Sequence, residues 1–194
     1  MSTDHFEVAL NPFPRLETER LVLREIREED AEALFKVCSD QEWLRLWGFP
    51  IHRTVEDTRQ AIRRLRGAYE ARVQIRWAIC LRNTESPVGS AGFYRFMRQH
   101  HRAEITYEQA RFVSGNGYMT EALRAIVRFG FDKLDLQTIE AGIDPGHPAS
   151  IRVAERLGFQ REGYLNQNYY FEGRFYDTVL YTLLSGRPPT RPWP

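Results

Sequence analysis

Residues 113–131, VSGNGYMTEALRAIVRFGF, constrain the fold more than any other stretch of this chain. Met119, Ala122, Leu123, Ile126, Val127 and Gly130 recur at the spacing of one helical face. Two glycines one residue apart, Gly115 and Gly117, stand directly before that helix. Glycine there either makes a turn that other residues resist or clears the backbone so that something can approach it. A strand ending near Ala110, a turn through Ser114-Gly115-Asn116-Gly117 and a helix from about Tyr118 leave the first-turn N–H groups without internal partners, at the positive end of the helix dipole. Small residues let a phosphate reach those donors, so the junction reads as a candidate anion cradle. It is not a Walker loop, because no GK[ST] follows. It is not a GxGxxG fingerprint either, because Thr120 holds the third glycine position.

The flanking segments predict a mixed α/β domain. RLVLREI reads as a first strand after the lead-in marked by Pro12 and Pro14, and REEDAEALFKVCSD as a helix that Asp30 can cap. An aromatic break with Trp43 and Trp47 follows, and then a helix opened by Thr54 with Asp57 three residues on. Its Arg59, Arg63, Arg64 and Arg66 are balanced in part by Glu56, Asp57 and Glu70, which is the pattern of a solvated face. IRWAICL, VGSAGFYRF and AEITYEQA read as antiparallel strands, QTIEAGI as a strand, HPASIRVAERLGF as a short helix, and residues 164–184 as two strands about Glu172-Gly173. Parallel pairing is expected where a helix links two strands. The boundaries are a lead-in over 1–15, one domain over 16–185 and a proline-rich tail over 186–194, expected to be extended or disordered.

A net charge of +1 speaks against a dedicated nucleic-acid binder. Cys38 and Cys80 form no metal or disulfide pattern and read as buried thiols, so no metal is expected. No stretch approaches the ~20 apolar residues of a membrane span, and no signal peptide is apparent. The expected setting is the cytoplasm, without a membrane partner.

EITYEQARFVSGNGYMTEAL and, about two dozen residues later, DPGHPASIRVAERLGFQREG resemble the two core motifs of the GNAT acetyltransferase superfamily. The likeness is strongest to the Rim type, the ribosomal-protein and related acetyltransferases, with the forms EIGYxLxPxxxGxGyatEA and DPxNxaSxrvaeklGFxxEG. LETERLVLREIREEDAEAL and FEGRFYDTVLYTLL fit the same subfamily. The resemblance implies a mostly antiparallel twisted sheet with a central splayed parallel strand pair and about four helices. It implies acetyl-CoA as cosubstrate, with the pantetheine along the backbone of Gln109, Ala110, Arg111, Phe112 and Val113. The pyrophosphate falls on Gly115, Asn116, Gly117, Tyr118, Met119 and Thr120, and His147 and Ser150 lie beside the cofactor. It also implies direct attack by a primary amine, of a protein N-terminus or a small molecule, and suggests a homodimer.

Several residues carry two readings. Ser150, at N3 if His147 caps its helix, is either the hydrogen-bond donor to the departing thiolate that the resemblance implies or a helix-start serine. Glu104 either takes the amine proton through water or simply bonds a neighbouring arginine. His147 replaces the motif asparagine, as a surface cap or as an auxiliary acid or base. Pro148 suits N1 in either case. The tyrosine that many members carry four residues before GF is Ala154, and the place of a glutamate base falls at Tyr169 or Tyr170. Phe112, Arg111 and Ser114 also depart from the usual motif. Tyr94, Tyr164, Tyr169, Tyr170, Trp43 and Trp47 are either acceptor-pocket walls or packing. With these departures, a non-catalytic module that binds CoA is the competing class.

Overall fold

Alternating apolar residues on strands and one apolar stripe on each long helix bury their faces against each other in three layers. The computed structural model describes residues 5–44 and 50–186. Among the described residues six helices, α1 (His5–Ala9), α2 (Ala31–Cys38), α3 (Gln41–Leu44), α4 (Val55–Glu70), α5 (Tyr118–Lys133) and α6 (Pro148–Arg156), accompany eight strands. The strands are β1 (Leu16–Glu17), β2 (Leu21–Glu25), β3 (Gln74–Leu81), β4 (Pro87–Met97), β5 (Arg102–Gln109), β6 (Thr138–Ile143), β7 (Gln160–Phe171) and β8 (Arg174–Leu184). They form one sheet in the order β1-β2-β3-β4-β5-β6-β8-β7, in which, among the described residues, only β5 and β6 pair in parallel. Two of the six helices are one-turn elements beyond the four expected. Trp47 and residues 187–194 of the tail lie outside the described residues.

The pleat of β3 divides the core. Ile75, Trp77 and Ile79 face α5, where Met119, Ala122, Leu123, Ile126 and Phe129 are buried. Ala78 and Cys80 face α2 and α4 through Leu34 and Ile62. A Cβ on Gly130 would meet Phe93 Cζ at 2.7 Å, so glycine lets α5 lie close on the sheet. From His5 on, the lead-in packs on the domain: Phe6 and Leu10 enter the core, and the Trp77 indole donates to the Pro14 carbonyl at 2.7 Å.

Thr54 and Asp57 form the expected capping box. Asp30 does not cap α2 with its side chain. Its carboxylate binds the buried Arg24 guanidinium at 2.7 Å through both oxygens and accepts from Arg27 N at 2.8 Å. On α4, Arg59, Arg63 and Arg66 pair with Glu56, Glu28 and Glu70 on a solvated face. Cys80 is buried and Cys38 half-buried, both free thiols that burial pushes up in pKa. Among the described residues no helix is long and apolar enough to cross a membrane, and no cluster of His, Cys, Asp or Glu has a metal site's form.

Candidate active site

The cleft arises because two neighbouring strands follow different partners. β5 and β6 pair only over Arg102–Glu104 and Thr138–Glu140. Beyond that, β5 stays in register with β4 as far as Gln109, while β6 stays with β8 through Ile143. The strands part, and a cavity of about 310 Å³ opens between Ile105, Thr106 and Tyr107 on one side and Gly142, Ile143 and Asp144 on the other.

Beyond the end of β5, before α5, is the glycine turn. Gly115 and Gly117 have φ of 84° and 77°, so both adopt the left-handed conformation that side chains resist. A Cβ on Gly115 would meet nothing within 4 Å, and one on Gly117 only Arg20 Nη2 at 3.6 Å. Turn geometry and open space therefore hold together here. Gly117 is the N-cap of α5, and among the described residues the N–H groups from Gly115 to Thr120 find no acceptor. Met119 is buried beneath this turn, and Asn116 ties it to the Val113 carbonyl at 3.1 Å. Arg20 lies over the Tyr118 ring, 4.7 Å from its centroid, and donates to the Asn116 carbonyl at 3.0 Å. Arg20, Thr120, Arg124 and Arg156 border an open hollow of about 520 Å³ beside Gly117. Arg124 and Arg156 have no ion-pair partner among the described residues.

The segment before the glycines is less extended than expected. β5 ends at Gln109, and Arg111–Val113 form a 3-10 turn. The Gln109 carbonyl accepts from the Trp43 indole at 2.7 Å and the Ala110 amide donates to Val88 O at 2.8 Å. Arg111 pairs with Asp40 at 2.8 Å and Glu42 at 3.0 Å. Val113 is buried, and Phe112 is 71% exposed.

His147 is the N-cap of α6 with Pro148 at N1, and its Nδ1 accepts from Ser150 N at 3.3 Å. Burial lowers the His147 pKa against the opposing pull of Asp144, so the ring is neutral at pH 7 with its proton on Nε2. The Ser150 hydroxyl does not cap; it lies 2.7 Å from the Tyr107 hydroxyl. Glu104 accepts from the Tyr94 hydroxyl at 2.6 Å and from Arg95 at 2.9 Å, and it also lines the cleft. The arginine contact is thus present at a position that faces the site.

The β7–β8 hairpin closes one end of the cleft. A register shift between Leu165 and Tyr169, with Gln167 at φ 49°, re-aims the strand so that Asn168 and Tyr169 line the cleft. Asp177 holds this bulge, accepting from Gln167 N at 2.8 Å and from the Tyr164 hydroxyl at 2.6 Å. These bonds keep its pKa below the usual carboxylate range. Of the proposed aromatic walls, Tyr94 and Tyr169 line the cleft. Tyr164 serves Asp177, Tyr170 packs on Phe175, and Trp43 holds β5.

Sequence reasoning missed Arg20, Tyr107, Arg124, Asp144, Arg156 and Asp177 as site residues. The helical spacing of Thr120 and Arg124 is a local signal for one of them. The others are brought in by pairing between distant segments.

These residues fit an elongated, multiply anionic ligand with a linear apolar arm. Unpaired backbone donors and guanidinium groups stand at the turn, and a cleft opens between the two strands β5 and β6. Residues 20–160 match the family model described as Acetyltransferase (GNAT) domain. The uncharacterized N-acetyltransferase YoaA of Bacillus subtilis is 37% identical, over 90% of this chain and 99% of its own. The [ribosomal protein uS5]-alanine N-acetyltransferase of Escherichia coli is 25% identical over 89% of this chain and 91% of its own. The solved RimL ribosomal L7/L12 alpha-N-protein acetyltransferase, in complex with coenzyme A, superimposes with a TM-score of 0.79 at 22% identity, covering 88% of this chain and 98% of that one. The chain belongs to the GNAT acetyltransferase family.

Proposed function

We propose that this protein is an acetyl-CoA-dependent N-acetyltransferase that acetylates a primary amine by direct attack in a ternary complex. The observation that carries this reading is the presence of three parts along one run of chain and its neighbours: free N–H groups at Gly115–Thr120, the splayed β5–β6 cleft, and Ser150 lining it. The solved relative named for coenzyme A has the same fold.

Acetyl-CoA supplies the thioester. The N–H groups from Gly115 to Thr120, with Arg20, Arg124 and Arg156, hold its phosphates. The pantetheine arm follows the β5 edge toward Ser150, whose hydroxyl donates to the sulfur as its negative charge develops. The acceptor amine enters from the hairpin end, past Tyr94, Tyr169 and Asp177. Glu104 receives the proton that nitrogen loses, through water. His147, neutral at pH 7, orients the start of α6 and takes no proton. The acceptor is a protein N-terminal α-amine, as in the printed name of the Escherichia coli relative, or a small amine.

Release of free thiol from acetyl-CoA with a panel of N-terminal peptides, polyamines and amino acids tests this reading, and mass spectrometry identifies the acetylated product. Thiol release that depends on one acceptor class is expected. Calorimetric CoA binding without release by any acceptor would support the non-catalytic module instead.

A further inference from the structure

We propose that Tyr107 is a positioning residue for Ser150: its hydroxyl donates to Ser150 Oγ and thereby points the serine proton into the cleft, toward the sulfur of the cofactor. This rests on the N-acetyltransferase reading above.

The contact bridges the two arms of the cleft. Tyr107 comes from β5, and Ser150 from α6, which follows β6; their hydroxyl oxygens are 2.7 Å apart and both residues line the cavity. The Ser150 amide is already engaged by His147 Nδ1, so the serine hydroxyl is the group left to act. The Ser150 carbonyl lies farther from the Tyr107 hydroxyl, at 3.3 Å. A phenol is a stronger donor and a weaker acceptor than an aliphatic hydroxyl. The short bond therefore runs from Tyr107 to Ser150, and the serine proton is free for another acceptor. Burial raises the Tyr107 pKa to about 12, against the lowering effect of Ser150, so the phenol keeps its proton at physiological pH. Ala154, one turn farther along α6, is buried and has no hydroxyl to offer. Tyr107 brings a phenol to Ser150 from the opposite arm.

In the reaction the amine nitrogen bonds the acetyl carbon while the carbon–sulfur bond breaks, and sulfur leaves with the electron pair. The proton lost by nitrogen passes through water to Glu104, and sulfur leaves as a thiolate held by the Ser150 hydroxyl, to be protonated from solvent. Tyr107 neither gains nor loses a proton. Its pKa stands several units above the roughly 8.5 of an ordinary thiol, which makes transfer from it unfavourable.

The test is a double-mutant cycle with Tyr107→Phe, Ser150→Ala and the pair. Tyr107→Phe is expected to lower kcat roughly tenfold with KM for acetyl-CoA within about twofold, and the double variant to match Ser150→Ala alone. Calorimetric CoA affinity checks that each variant keeps its cleft; Tyr107→Leu replaces the phenylalanine variant should that one be insoluble. A second readout needs no acceptor. The thiol of bound CoA, followed by ultraviolet difference absorbance, should titrate at lower pH in the wild type than in any of the three variants. Tyr94 and Arg95 from β4, Glu104 from β5, Asp144 and His147 from the β6–α6 loop, and Tyr169, Tyr176 and Asp177 from the hairpin face the same cavity and are common to all four proteins, so their influence cancels. Wild-type kcat and thiol titration in Tyr107→Phe, or losses that multiply in the double variant, would overturn the inference. Normal titration differences with no turnover on any amine would instead sink the catalytic reading and leave Tyr107 where it is placed.

Discussion

At Gly117 two demands meet in one residue. The backbone is left-handed, and the space where a side chain would sit opens on the hollow bordered by Arg20, Arg124 and Arg156. Gly117→Ala should therefore cost about 1 kcal/mol or more of stability and also weaken CoA binding. Thermal denaturation and calorimetry on the same preparation separate the two effects. A variant at this position does not leave the fold untouched, because the strain is present whatever the ligand. His147 offers a cleaner substitution. Asparagine, the residue of the family motif, also caps helices, so His147→Asn should keep stability and the shape of the kcat–pH profile near neutrality. His147→Ala should lose about 1 kcal/mol. A profile whose neutral limb vanishes in His147→Asn would restore the acid–base role.

Among the elements, the start of α5 shows how a local motif is held by distant ones. Glu121 accepts from Thr18 Oγ1 at 2.6 Å, Arg20 N at 2.9 Å and Arg20 Nε at 2.6 Å, which clamps the β1–β2 turn onto the glycine turn. Burial pushes the Glu121 pKa up, but these bonds outweigh it and hold the group below the usual glutamate range. A depressed folded pKa stabilises fully above the unfolded value of about 4.3 and loses that contribution as pH falls through the folded one. The stability gap between wild type and Glu121→Gln, measured by urea denaturation, should thus be constant near neutrality and shrink in acid below about pH 4. In the same hollow, Arg124→Ala and Arg156→Ala should raise KM for acetyl-CoA several-fold with kcat little changed, and more so at low salt. The spacing rules located α5, α6 and the central strands, because each carries its own apolar period. They passed over the bulge at Gln167, which depends on the Asp177 carboxylate across the hairpin.

For the whole molecule, the lead-in is the clearest case of structure that local pattern does not declare. Five residues of α1 are too few for stability alone, yet Phe6 packs edge-on against Phe96 at 5.0 Å, and Leu10 is fully buried while its carbonyl accepts from the Tyr69 hydroxyl. Leu10→Ala should destabilise the protein by about 2–5 kcal/mol in thermal denaturation, with acetyl-CoA affinity unchanged at temperatures where it stays folded. What the residues determined by themselves is the end of the site proposed to hold the cofactor. A glycine turn and the helix N-terminus after it are contiguous in the chain, and their donors are backbone groups whose direction follows from local conformation. Only the tertiary structure decided the reacting end. Tyr107 meets Ser150 across 43 residues and Arg20 meets Glu121 across 101. The cleft exists because β5 and β6 each hold to an outer neighbour, a competition between pairings of distant segments that no local period encodes.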